Sequence, residues 1–183
     1  MNSSDDASLV ERTLAGDQRA FGMLARRYSA QARRVARILL RNPDDADDAA
    51  QDALLAALAN LARYDPSRPF GPWLMRIVTN AAIDRSRRRT ARRAEPLHER
   101  LVDVGEAPDR AAQRSELAIR LRDALLELPE RQRLAVTLFD AEGYSHAEIA
   151  DILRVPIGTV RSDVHHARRR LREQLAEWKE AIE

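Results

Sequence analysis

The feature that most constrains this chain is the spacing of its apolar residues. They recur at three- and four-residue intervals almost throughout, and no stretch alternates cleanly between apolar and polar over the length of a strand. Leu9, Leu14, Phe21, Leu24 and Tyr28, continued by Val35, Ile38 and Leu39, form a first stripe that Asn42-Pro43 stops. A new helix is expected to open at Asp44 or Asp45, because carboxylates in a first turn suit the positive end of the helix dipole. It runs through Leu54, Leu55, Leu58 and Leu61 to Tyr64, and residues 65–69 read as a turn. Pro72, Trp73, Leu74, Ile77, Val78 and Ile83 mark a third long helix, with Pro72 in its first turn. The predicted fold class is all-α.

The pattern lapses at Arg85. From there to Arg93 the chain is mostly arginine, and the residues that follow carry Pro96, Gly105 and Pro108 with no sustained apolar stripe. That is the signature of a linker of roughly twenty residues, too long for a connection inside a compact domain. A second helical unit begins near Ser115, with Leu117, Leu121, Leu125 and Leu128 spacing one face and Pro129 ending it. Residues 133–141 form the next helix, closed at Gly143, and two shorter helical patterns follow. The expected layout is two small helical domains, 1–92 and 117–178, joined by a flexible linker over 93–116; a length of 183 residues has room for that.

Composition removes several classes. Cysteine is absent, which excludes disulfide scaffolds, thiolate nucleophiles and cysteine–zinc sites and fits a reducing compartment. No run approaches the roughly 18–20 apolar residues of a membrane helix, and the N-terminus lacks a secretory pattern. The expected location is the cytoplasm, without membrane insertion. The 31 basic and 29 acidic residues nearly cancel, so position rather than total charge decides which partners the chain attracts. Every basic residue but Lys179 is arginine. Arginine's planar fork suits phosphates and guanine edges, although a genome rich in arginine codons explains the bias equally well.

The densest local signal spans residues 144–171. Ser145-His146-Ala147-Glu148 has capping-box spacing, and Ile149, Ile152 and Leu153 supply the buried face of a short helix. Val155-Pro156-Ile157-Gly158 cannot continue that helix, and Thr159 reads as the cap of the next. Val160, Val164 and Leu171 then face inward, leaving Arg161, Ser162, His165, Arg168 and Arg169 outward. A capped helix, a tight turn and a second helix with a polar, basic face form a helix-turn-helix. In such a unit Arg161 can fork onto a guanine, Ser162 can bond a base edge or a phosphate, and the arginines from Arg168 onward can neutralise phosphates.

These residues also carry a family resemblance. Glu142-Gly143-Tyr144-Ser145-His146-Ala147-Glu148-Ile149-Ala150, then Val155-Pro156-Ile157-Gly158-Thr159-Val160-Arg161-Ser162 and His165-His166-Ala167-Arg168, closely resemble region 4 of bacterial sigma factors, in particular the extracytoplasmic-function (ECF) group of the sigma-70 family. Leu128-Pro129-Glu130-Arg131-Gln132-Arg133 agrees. The first unit agrees independently. Asp47-Asp48-Ala49-Ala50-Gln51-Asp52-Ala53-Leu54-Leu55 resembles the polymerase-binding helix of region 2, and the segment from Phe70-Gly71-Pro72-Trp73 to Asn80-Ala81-Ala82-Ile83-Asp84, with Arg87-Arg88 after it, resembles the promoter-melting segment.

The resemblance implies a factor that binds RNA polymerase core, on its clamp and flap, and directs promoter-specific transcription initiation. It assigns polymerase contact to Asp48, Gln51, Asp52 and Leu55; an acidic first turn beside an apolar ridge suits a surface presenting Arg and Leu. The family usually has Glu where Asp52 stands. It assigns the minus-ten element to the third helix, with Arg76, Arg85, Arg87 and Arg88 on phosphates and Asn80 bordering a pocket for an extruded base. Trp73 reads as core with base stacking as the alternative, and the arginine run as phosphate contact or a solvated linker start. The minus-thirty-five element falls to Thr159, Arg161, Ser162, His165 and His166, with Arg168 on phosphate. Here the chain departs from the pattern, since family members commonly carry a basic residue where Asp163 stands, and often another at His166. Asp163 is either a dipole partner at the helix start or a reader of cytosine.

No cofactor and no metal are expected: the adjacent His165 and His166 point to different sides of a helix, and no carboxylate–histidine spacing completes a site with His146. An enzyme is disfavoured, as no phosphate-cradling glycine loop or strained nucleophile turn is present. A stand-alone helix-turn-helix regulator is the alternative, and core-polymerase binding separates the two. An anti-sigma factor is an expected partner from the resemblance.

Overall fold

The structure is a computed structural model and describes residues 3–40, 42–92 and 110–180. Among these residues every regular element is helical: α1 (Ser3–Leu14), α2 (Gln18–Leu39), α3 (Pro43–Ala59), a 3-10 turn at Leu61–Arg63, α4 (Phe70–Arg92), α5 (Arg110–Glu127), α6 (Glu130–Asp140), α7 (His146–Leu153) and α8 (Ile157–Glu180). Residues 93–109 of the expected linker lie outside the described part, and its last residues belong to α5, whose Ala- and Gln-bearing start favours helix.

Helices α1 to α4 form the first unit. The buried face of α3 is built only of alanines (Ala46, Ala49, Ala50, Ala53 and Ala57), so its backbone lies close against α2 and α4. Leu24, Tyr28 and Val35 of α2 meet Phe70, Leu74, Met75 and Val78 of α4, and full burial of a side chain such as Leu74 stabilises by about 1.5–3 kcal/mol. The second unit, α5 to α8, buries Leu134, Leu138, Ile149, Ile152, Val160 and Val164. Both sets belong to one continuous apolar cluster, because α6 packs on α2 and α7 on α4. A smaller cluster of Leu128, Val136 and Ala167 ties the end of α5 to α6 and α8.

Several boundaries depart from the sequence expectations for local reasons. The first stripe is two helices rather than one. Gly16, at φ 98°, turns the chain, and the Asp17 carboxylate caps α2 by accepting from the Arg19 amide at 3.0 Å. Helix α3 opens at Pro43, since Asn42 accepts from the amide of Asp44 at 2.8 Å and Pro43 sits where no intrahelical donor is needed. Helix α6 opens at Glu130, directly after Pro129. Helix α8 opens at Ile157, so Thr159 lies inside its first turn instead of capping it, with its amide donating to the Pro156 carbonyl at 2.9 Å. Leu125 of α5 and Leu128 just after it are covered as expected, but Leu117 and Leu121 are exposed, as is Ile119.

Candidate functional site

The outer face of α3 follows from its inner one. With alanines turned inward, Asp48, Gln51, Asp52 and Leu55 all face solvent, and Leu55 is 58% exposed with Leu58 one turn further on. This gives an acidic patch beside an apolar ridge on a rigid helix. The patch is not isolated. Arg85 of α4 reaches across to α3, 3.1 Å from Asp45, 2.7 Å from Asp48 and 3.6 Å from Asp52. A residue expected on phosphate therefore meets two expected on polymerase, and α3 and α4 are clamped together by charge.

On α4, Asn80 is exposed and Arg76 half-buried, while Arg87 and Arg88 are exposed at its distal part. Trp73 is half-buried within an aromatic cluster, its ring centroid 5.2 Å from Tyr64 and 5.5 Å from Phe70. Packing is thus its main role here, yet with Tyr64 it also lines a cleft of about 320 Å³. Three arginines, Arg63, Arg68 and Arg76, border the same cleft. Its rim is the turn before α4, folded by Asp65, whose carboxylate accepts from the Ser67 amide at 3.0 Å and hydroxyl at 2.7 Å. Those two bonds hold the Asp65 carboxyl below the usual carboxylate range.

In the second unit, Ser145 accepts from the Glu148 amide while its own amide donates to the Glu148 carboxylate at 2.8 Å, a complete capping box. Arg154 takes a left-handed conformation, φ 55°, and turns the chain into α8. Val160 and Val164 are buried, and Arg161, Ser162, His165, His166 and Arg168 are exposed along α8, with Thr159 half-buried beside them. Arg168 is engaged by Asp140 at 2.9 Å from Nε and stands 5.0 Å over the Phe139 ring.

Asp163 takes neither of its expected roles. It is 4% exposed and turned into the domain, where Arg131 of α6 donates to it at 2.6 and 3.3 Å. The reason is geometric: on α8 it neighbours the buried Val164 and Val160 rather than the face carrying Arg161 and His165. This carboxylate holds the Arg131 guanidinium above its ordinary pKa.

The contact between the two units was not foreseen, and its residues lie more than a hundred positions apart. Glu142, whose side chain is 2% exposed, accepts from Arg34 at 2.8 and 2.9 Å and from Gln31 at 3.0 Å. Tyr144 donates to the Gln31 side-chain carbonyl at 3.1 Å. On the other side Tyr28 donates to the buried Asp6 at 2.5 Å, and Arg27 also binds Asp6. Burial first, and then the carboxylates of Glu142 and Glu148, push the Tyr144 hydroxyl well above the ordinary tyrosine value; burial and Asp6 do the same to Tyr28. Pairing Glu142 with Gln31 or Arg34 from sequence needs knowledge of the packing, although the Glu142-Gly143-Tyr144 block itself stands out.

Among the described residues no group of three His, Cys, Asp or Glu side chains gathers to hold a metal, and no helix is long and apolar enough to cross a membrane. Comparison with known proteins converges on one description. A family model of Sigma-70 region 2 matches residues 24–92 and one of Sigma-70, region 4 matches residues 118–171. The ECF RNA polymerase sigma factor SigM of Mycobacterium tuberculosis is 44% identical over 166 residues, which are 91% of this chain and 82% of that protein. CnrH, solved in complex with the cytosolic domain of CnrY, superimposes with a TM-score of 0.74 at 31% identity, covering 94% of this chain and 98% of that one. The sigma factor RpoE of Bartonella quintana, solved with the anti-sigma factor NepR, does so with a TM-score of 0.71 at 26% identity, over 85% and 96% of the two chains.

Proposed function

This chain belongs to the ECF group of the sigma-70 family, non-enzymatic factors that direct RNA polymerase to promoters, and from that premise we propose how its surfaces divide the work. The outer face of α3, with Asp48, Gln51, Asp52 and Leu55, docks on the polymerase clamp. The α4 face, with Arg76, Asn80, Arg87 and Arg88, takes the minus-ten element as it opens. Asn80 supplies an amide that both donates and accepts beside an extruded base, and the arginines hold phosphates. The exposed side of α8, with Thr159, Arg161, Ser162, His165 and His166, reads the minus-thirty-five element while the second unit rests on the polymerase flap. Arg85 and Arg168 reach phosphate only on leaving the carboxylates that hold them in the free chain. Residues 1–92 and 117–178 serve as regions 2 and 4, and 93–116 as the tether that makes the second contact intramolecular once the first has formed.

The observation that carries this division is the outer face of α3: Leu55 is 58% exposed beside three polar residues on a helix whose fully buried positions are all alanine, so its apolar area is left outside the core. An anti-sigma factor is the proposed regulatory partner, supported by the complex of the similar RpoE with NepR. The test pairs the purified chain with sigma-free core polymerase and a library of upstream DNA. Transcripts that depend on the chain and share two spaced upstream elements are expected, and Leu55→Asp should weaken core binding about tenfold. Core binding unaffected by Leu55→Asp would remove α3 from the interface.

A further inference from the structure

The first turn of α8 holds a side chain that the core does not use. Ile157 is 41% exposed, although Val160 and Val164, about one and two turns further along, are buried. Ile157, Arg161 and His165 stand at four-residue intervals and share one face of the helix, and all three are exposed. An apolar side chain thus begins the outward row that carries two residues of the minus-thirty-five surface. Its neighbour Gly158 has none of the left-handed backbone found at Gly16 and Gly143, and an added Cβ would meet nothing within 4 Å. Neither turn geometry nor packing inside the chain requires a glycine there, and alanine would suit the helix better. Glycine at such a place lets the backbone come close to something outside the chain. The turn also carries no carboxylate to repel a phosphate chain. We propose that Ile157 is a specificity residue for the upstream element: its side chain packs on the 5-methyl group of a thymine in the major groove, and Gly158 lets the start of α8 approach closely enough for that contact. This rests on the minus-thirty-five reading of α8 given above.

Residues at the N-terminal end of a recognition helix are the ones that reach base edges, and the opening of α8 at Ile157 puts this side chain there. Among the groups that base pairs present in the major groove, the thymine methyl is the apolar one. Arg161 and Ser162 can bond the polar edges. Ile157 can bond none, so against a polar edge it would strip water and return no hydrogen bond. Against a methyl group both partners lose apolar area to water at no such cost. The β-branched side chain is stiff at χ1 within a helix, so little freedom remains to be lost on contact. Phosphate contacts from the arginines supply position and affinity, and Ile157 supplies preference.

The test uses holoenzyme reconstituted from the full chain and core polymerase, with a promoter duplex recovered from the upstream library. Each thymine of the upstream element is replaced in turn by deoxyuridine, which deletes the methyl and keeps the pairing edge. Affinity is read by fluorescence anisotropy at low temperature, before the strands open. At one thymine the wild-type holoenzyme should lose about fourfold, the transfer value of one buried methyl group. Ile157→Ala should bind the thymine duplex about fourfold more weakly and lose nothing further on the exchange. Ile157→Val, which keeps the branched methyl groups, should still discriminate. Gly158→Ala should unfold at the wild-type temperature or above it, yet bind about fivefold more weakly with or without the methyl. A wild-type holoenzyme indifferent to every methyl overturns the assignment, as does an Ile157→Ala chain that still senses the same one, or an element with no thymine on either strand. Gly158→Ala with wild-type affinity overturns the close approach. If instead Arg161→Ala leaves both affinity and base preference intact, the minus-thirty-five reading itself is lost.

Discussion

Asp163 shows how much one side chain's direction decides. Placed on the groove face it would be a specificity residue; buried at 4% exposure against Arg131, it is a brace between α6 and α8. Asp163→Arg would set two guanidinium groups together in the domain and should lower its stability by about 3 kcal/mol, rather than change promoter preference. Denaturant unfolding checks this, and a variant of wild-type stability with altered base preference would return Asp163 to the groove. The outward and inward positions of α8 were otherwise legible in sequence, because Val160 and Val164 fix the helix's rotation. Asp163 was misread because its burial depends on a partner 32 residues away.

At the level of elements, stop signals and caps were the readable part. Asn42-Pro43, Pro129 and the Ser145–Glu148 box each mark a boundary through chemistry local to it. The break at Gly16-Asp17 was missed although it has a local signature, a left-handed glycine followed by a capping aspartate. Helix α7 has eight residues, short for an isolated helix, so its cap carries weight. Ser145→Ala should cost about 1 kcal/mol and loosen the second unit before the first, seen as earlier amide exchange in α7 than in α3. Uniform loss of protection across both units would show that the cap matters only through global stability.

The molecule as a whole was the least legible. Two helical units and their order followed from periodicity, but their shared core did not, because Gln31, Arg34, Glu142 and Tyr144 carry no mark that pairs them. Their contact ties the molecule to pH. Tyr28 and Tyr144 have folded-state values raised above the ordinary 10.0. Below that both states are protonated and the contribution is complete; above it the unfolded chain loses protons that the folded chain keeps, so stability falls as pH rises toward the folded-state values. Unfolding free energy should decline from about pH 10 upward, less steeply in Tyr144→Phe. Tyrosinate absorbance appearing near pH 10 in all three tyrosines with the fold intact would contradict this.

The division of labour between α3 and α4 meets its most direct test in promoter opening by the reconstituted holoenzyme, read by permanganate reactivity of unpaired thymines, with core binding measured on the same samples. Asn80→Ala is predicted to form holoenzyme as the wild-type chain does and to lose opening about tenfold, roughly the 1.4 kcal/mol of one lost base contact. Opening equal to wild type, or a loss that only follows weaker core binding, would contradict the assignment of α4 to the opened strand.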